Sequence, residues 1–217
     1  MTNADLADFI RANLPVSPVP GLPEIRLHGA VPSSGIGRLA QDDRAGVAAP
    51  YWAHRWAGGL ALARNALDRP EIVRGRRVLD LGAGSGLVGI AAAIAGATSV
   101  TAVESDRHAV AALRLNATLN DVDVAVCHAD VGALPVPDAD LVLVGDLFYT
   151  EDLAGRVTAF LDRCLDAGLD ILVGDPWRRP LPLDRLREVA RYDVFESGLR
   201  TTASGVFRFC PQHTSMR

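Results

Sequence analysis

From Arg77 onward the chain alternates short apolar runs with amphipathic stretches, and this alternation restricts its fold more than any other feature. Arg77–Leu81, Ser99–Glu104, Val122–Cys127, Asp140–Gly145 and Leu169–Gly174 are apolar runs of strand length. Between them Leu87, Ile90, Ala91 and Ile94 recur at helical spacing, as do Val110, Leu113 and Ala117, and then Leu153, Val157, Phe160, Leu161 and Cys164. Strands joined through helices make right-handed βαβ units, and these build a parallel sheet with helices on both faces. Further on, Leu183, Leu186 and Val189 predict another helix, and Tyr192–Glu196 and Gly205–Cys210 predict two closing strands. The expected class is α/β, with a doubly wound sheet.

The first seventy or so residues read differently. Leu6, Phe9, Ile10 and Leu14 lie at the spacing of a short amphipathic helix. Pro15 to Gly37 is rich in proline and glycine and reads as irregular, with one short strand at Ile25–Leu27. A helix then carries Leu60, Ala63 and Leu67 and ends near Asp68-Arg69-Pro70. No repeat or second block of composition interrupts the 217 residues. We therefore expect a single domain over 1–217, in which 1–70 form an N-terminal cover and 71–217 the seven-strand core.

Bulk properties narrow the partners. A net charge of −4 argues against nucleic acid, which needs a basic surface. Every strongly basic side chain is arginine; there is no lysine. Cys127, Cys164 and Cys210 are odd in number and scattered without a CxxC pair, which points to a reducing compartment and no structural zinc or other metal. The N-terminus lacks a basic and then apolar leader, and no run approaches a membrane span. The expected location is the cytoplasm, with no membrane partner.

One loop carries the strongest chemical signal. Val78-Leu-Asp-Leu-Gly-Ala-Gly-Ser-Gly-Leu-Val-Gly89 contains GxGxxG from Gly84, the dinucleotide fingerprint, and also Asp-Leu-Gly-Ala-Gly-Ser-Gly from Asp80. A pyrophosphate would have to sit against the loop amides, and the Asp80 carboxylate opposes it; an ammonium suits the same carboxylate. Glu104 lies about twenty residues beyond the glycines, where an acid accepts ribose hydroxyls of either ligand. Asp80, Glu104, Asp130, Asp146 and Asp175 each fall at or just past a predicted strand's carboxyl end, the ligand-binding edge of open α/β sheets. Aspartate there is also a common helix cap, but five acids in one row favour a site for a cationic ligand.

At this point the chain resembles a known family. Val78–Gly86 is similar to the first motif of class I, seven-strand S-adenosylmethionine-dependent methyltransferases. Pro50-Tyr-Trp-Ala-His-Arg-Trp-Ala-Gly-Gly-Leu-Ala-Leu-Ala-Arg64, Gly145-Asp-Leu-Phe-Tyr149, Gly174-Asp-Pro176 with Arg178, and Thr201-Thr-Ala-Ser-Gly-Val-Phe207 resemble one subgroup. This is the electron transfer flavoprotein β-subunit lysine methyltransferases and their bacterial relatives, some labelled nicotinamide N-methylase-like. The resemblance implies a Rossmann-like seven-stranded sheet, mostly parallel with the last strand antiparallel, under an N-terminal helical cover. It implies S-adenosylmethionine as cofactor, S-adenosylhomocysteine as product, and a protein substrate such as the flavoprotein β subunit.

Carried over, Gly82, Gly84 and Gly86 allow close approach of the cofactor, Asp80 faces its methionine part, Glu104 the ribose and Asp130 the adenine amino group. Trp56 packs on it from the cover, whereas Trp52 is better read as a buried anchor. Asp146 and Tyr149, from the Asp-x-x-Tyr pattern, stand beside the transferred methyl as the catalytic pair. Asp146 orients the acceptor amine and Tyr149 offers a ring face or a hydroxyl. Trp177 departs from the subgroup's usual glycine, with a ring large enough to reshape the acceptor pocket; Glu104 replaces the commoner aspartate and keeps the charge. A small-molecule amine or heterocycle N-methyltransferase with a closed pocket is the competing reading, and a non-catalytic nucleoside-binding module stands behind it.

Overall fold

Val78, Val100, Leu141, Leu143 and Leu172 are buried toward one face of a central sheet, while Leu79, Leu81, Val142, Val144, Ile171 and Val173 are buried toward the other. Strand residues alternate between faces, so near-continuous apolar runs demand cover on both sides. In the computed structural model, which describes residues 2–37, 39, 50–197 and 200–212, helices supply that cover.

The chain opens with α1 (Asn3–Asn13), started by a Thr2 cap that accepts from Asp5 N–H while the Asp5 carboxylate returns to Thr2 N–H. A hairpin of β1 (Val16–Val19) and β2 (Leu22–His28) follows, turning at Gly21 with φ +77°. The expectation of an irregular segment with a single short strand is therefore corrected. Proline read as a breaker is compatible with a strand here, because β1 pairs on one edge only. Next come α2 (Ala57–Asp68), β3 (Arg77–Leu81), α3 (Leu87–Ile94), β4 (Ser99–Glu104) and α4 (Arg107–Leu119). Then β5 (Ala125–His128), β6 (Leu141–Gly145), α5 (Glu151–Asp166), β7 (Asp170–Asp175), β8 (Leu186–Ser197) and β9 (Arg200–Phe209) complete the chain.

The seven strands of the large sheet lie in the order β5-β4-β3-β6-β7-β9-β8. From β5 to β7 every pairing is parallel, and β9 runs antiparallel to both its neighbours. The expected class therefore holds. Strand order reverses between β3 and β6, so the crevice at their carboxyl ends is where the fold offers a ligand room.

The helix expected through Leu183, Leu186 and Val189 is absent. A short 3-10 turn at Leu183–Arg185 leads straight into β8, and Leu183 is 57% exposed. Three apolar residues at helical spacing do not outweigh a run containing Val189, Tyr192, Val194 and Phe195 that can pair along all of β9. The outer edge of β8 carries exposed Arg187, Glu188 and Arg191, charges that discourage further strand addition.

The hairpin is docked by Asn116 of α4 and by Asn120, which caps that helix. His28 N–H donates to Asn116 Oδ1 at 2.9 Å, and Asn120 bonds both the N–H and the carbonyl of Arg26. Asn116 is fully buried, and its amide also donates to Ser85 O at 2.9 Å, tying the cover to the glycine loop. At the amino edge of the sheet, acids are paired with arginine: Asp170 with Arg76 and Arg208, and Asp140 with Arg77.

Candidate active site

A cavity of about 500 Å³ opens at the carboxyl ends of β3, β4 and β6, a size that suits a small-molecule ligand. Its wall brings together Trp56, Asp80, Gly82, Gly84, Glu104, Asp130, Asp146 and Tyr149. Eight of the nine residues singled out from the sequence thus meet in one place. Gly86 does not line it. Gly86 starts α3 with φ +89°, and a Cβ there would lie 2.9 Å from Leu113 Cγ, so its small size serves helix packing.

Each of the five strand-end acids accepts a backbone N–H, and four of them, Asp80, Glu104, Asp130 and Asp146, also line the cavity, whereas Asp175 does not. Asp80, 1% exposed, accepts from Gly89 N–H at 2.7 Å and holds the first turn of α3 to β3. A Cβ on Gly89 would sit 3.0 Å from that carboxylate, which explains this glycine by close packing and not by a pyrophosphate. Burial, with the nearby Glu104 adding, pushes the Asp80 carboxyl up to about 7, against the Gly89 bond. Glu104 Oε1 accepts from Ser105 and Asp106 N–H, and its Oε2 from Gly84 N–H at 2.8 Å. Asp130 is exposed at the rim; it accepts from Gly132 N–H and takes Arg156 Nη1 on both oxygens at 2.9 Å. Those bonds lower its pKa.

The loop after β6 divides its residues sharply. Leu147 packs over Gly82, where a Cβ would come within 2.4 Å of Leu147 Cδ2. Phe148 is fully buried in the core, while Tyr149 is 53% exposed and joins the mouth. Its ring lies 6.3 Å from that of Tyr51, which meets Trp56 edge-on at 5.7 Å. Trp56 begins α2 and donates its indole N–H to Tyr51 O at 2.9 Å. Trp52 is 6% exposed and anchored in the cluster with α1, as expected, though it also reaches the cavity wall. Its buried indole N–H has no partner among the described residues.

The ribosomal protein L11 methyltransferase (PrmA) family model matches residues 61–145. An electron transfer flavoprotein beta subunit lysine methyltransferase of Xenopus laevis is 37% identical over 87% of this chain and 79% of its own. The protein of the same name from Danio rerio is 39% identical over 74% of this chain, which spans 66% of that relative's length. The chain belongs to the electron transfer flavoprotein beta subunit lysine methyltransferase family. Among solved structures, the Pyrococcus abyssi tRNA (uracil-54, C5)-methyltransferase in complex with S-adenosyl-L-homocysteine shares the fold. Its TM-score is 0.53, its identity 22%, and the match covers 68% of this chain and 38% of that one.

Three of the segments by which the chain resembles this lysine methyltransferase family, Pro50–Arg64, Gly145–Tyr149 and Gly174–Pro176 with Arg178, meet at Asp146. Asp146 has φ +59° and a side chain 9% exposed. One carboxylate oxygen accepts from Gly59 N–H at 2.5 Å, capping α2 from a strand distant in sequence; the other takes Arg178 Nη1. Burial raises the Asp146 pKa, and Arg178 and the α2 amides oppose that rise. Helix and strand come this close because Gly58 faces Gly174: a Cβ on Gly58 would lie 2.1 Å from Gly174 O. Asp175, behind Arg178 and fully buried, is pushed by its burial up to about 6.

Asp146 thus accepts one protein hydrogen bond on each oxygen, which fixes its carboxylate in the cavity wall. Trp177 also departs from expectation. With φ +60° it occupies a position suited to glycine, but its ring stacks edge-on against Phe207 at 5.5 Å and beneath Arg191 at 4.5 Å. It is not in the cavity wall and does not reshape it. Sequence reading assigned no role to Asn116, Tyr51 or Arg178. A polar residue on the buried stripe of α4 was the available signal for Asn116; the other two had none beyond their motifs.

Proposed function

We propose that the chain is an S-adenosylmethionine-dependent N-methyltransferase acting on lysine side chains of a protein, by kinship the electron transfer flavoprotein β subunit. The observation that carries the protein substrate is the open aromatic mouth, where Tyr51 and Tyr149 are 52% and 53% exposed. A closed pocket would favour a small amine, whereas half-exposed rings admit a long side chain presented by a macromolecule. The residues present fit the cofactor. Gly84, at φ +54°, gives its N–H to Glu104, and a Cβ there would meet only Trp52 among the described residues, at 3.8 Å, so the loop leaves room for a ligand at this point. Glu104 would meet the ribose hydroxyls, the Asp80 carboxylate an ammonium, and Trp56 and Tyr149 the flanks; Asp130 retains lone pairs for an adenine amino group.

The cofactor supplies an activated methyl, which leaves the protein the task of presenting a neutral amine in line with it. Lysine is protonated in water and loses its proton more readily among aromatic walls than beside free carboxylate. Asp146, paired with Arg178, is not a free carboxylate; it acts through orientation, with the proton passing to solvent. The free cysteines among the described residues support a reducing compartment, for which we propose the cytoplasm.

Incubation with methyl-labelled S-adenosylmethionine, an extract from cells lacking the gene and recombinant flavoprotein β subunit tests the reading. Label is expected on lysine of the β subunit; label confined to small molecules would reject a protein acceptor.

A further inference from the structure

Arg178 sits where three segments meet. Asp175-Pro176-Trp177-Arg178 is a tight turn with proline at its second position and positive φ at its third, closed by Arg178 N–H on Asp175 Oδ1 at 2.6 Å. The turn delivers the guanidinium between two acids. Nη1 donates to Asp146 and approaches Asp175 Oδ2 at 3.3 Å. The guanidinium carbon lies 6.0 Å from the centroid of Trp56, within reach of the ring face. Trp56 begins the helix whose Gly59 N–H is held by Asp146. The contacts therefore close a circuit: Trp56 to α2, α2 to Asp146, Asp146 to Arg178, and Arg178 back to Trp56.

We infer that Arg178 is a positioning residue: it clasps Asp146 and Trp56 together and so holds the cofactor-side cover and the acceptor-side loop in one register. Two features of the circuit require arginine. A planar guanidinium bonds through its edge while presenting its face to a ring, which the point charge of lysine does not do. The partners are also poorly hydrated, since the side chains of Arg178, Asp146 and Asp175 are 22%, 9% and 0% exposed. Remaining charge on the pair of acids therefore needs a cation fixed in place. With both oxygens held in this clasp, Asp146 contributes to transfer through alignment of the cavity wall. This inference rests on the cavity being the cofactor site, and the test separates the two.

Arg178→Lys keeps a cation and is expected to fold; Asp146→Asn keeps an acceptor for Gly59 and loses the charge. Titration calorimetry with S-adenosylhomocysteine is expected to show each single variant binding about tenfold more weakly, with ligand-free unfolding midpoints within a few degrees of the parent. The double variant is expected to bind no more weakly than the weaker single, because both break one circuit. Wild-type affinity in Arg178→Lys, or losses that multiply in the double variant, would overturn the clasp. A second measurement needs no ligand: the Trp56 indole N–H, assigned with Trp56→Phe, is followed by nitrogen-proton NMR. Its exchange with solvent is expected to quicken about tenfold in both single variants, leaving that of Trp52 unchanged. Unaltered Trp56 exchange rejects the clasp whatever the cavity binds, whereas a parent protein that ignores S-adenosylhomocysteine but shows the exchange effect keeps the clasp and rejects the cofactor reading.

Discussion

Asp80 shows how one carboxylate serves both the fold and the site. Its carboxyl, pushed from 3.8 to about 7 by burial, binds a proton more tightly in the folded chain than in the unfolded one. Such a group adds stability at low pH that is lost as pH rises from about 4 through about 7. Asp175, pushed to about 6, acts in the same direction. The unfolding midpoint of the ligand-free protein is therefore expected to rise as the pH falls from 8 to 5.5. Asp80→Asn keeps an oxygen for Gly89 N–H and should flatten much of that slope. A slope identical to the parent's in thermal melts would remove Asp80 as its source. The place of Asp80 at a strand end was legible in the sequence, as a cap or as part of a site; that it lines the cavity and holds Gly89 of α3 was not. A cap supplied from a neighbouring strand leaves no local spacing to read.

At the scale of elements, α2 decides the shape of the site. Its amphipathic stripe announced a helix, but its depth against the sheet is set by Gly58 and Gly174, whose backbones touch. Gly58→Ala would place a methyl 2.1 Å from the Gly174 carbonyl oxygen, a backbone atom that cannot rotate away. Displacement of α2 is expected to cost about 1–3 kcal/mol or more of stability. It should also weaken S-adenosylhomocysteine binding, because Trp56 and the Gly59–Asp146 bond move with the helix. Urea unfolding measures the first effect; an unchanged midpoint would show that the helix docks more loosely than this contact implies. The β8 segment teaches the opposite lesson. Local spacing favoured a helix, and pairing along β9 prevailed, since strand preference depends on the neighbour that the chain supplies later.

Over the whole molecule, the N-terminal layer and the layer that forms the cavity share a residue. Leu6 and Ile10 of α1, with Leu14 that caps it, pack with Ala109 and Ala112 of α4 and with Trp52, which also lines the cavity. Ile10, fully buried, should cost about 2–5 kcal/mol when cut to alanine. If the layers are coupled through Trp52, Ile10→Ala also weakens S-adenosylhomocysteine binding at temperatures where the variant is folded. Undiminished affinity in calorimetry would confine α1 to stability. The sequence by itself determined the alternating sheet, the glycine loop and the row of acids, because periodicity and strand-end position are local properties of the chain. Only the tertiary structure decided that those acids also hold backbone amides of α2, α3 and the adjoining turns, that Trp177 turns away from the cavity, and that Arg178 joins Asp146 to Trp56. The bonds of Asp130 and Asp175 to their own turns are short-range. The hold of Asp146 on α2, the packing of Trp177 and the Arg178 link join residues far apart in the chain, and such contacts exist only once the sheet order brings β6, β7 and β9 side by side.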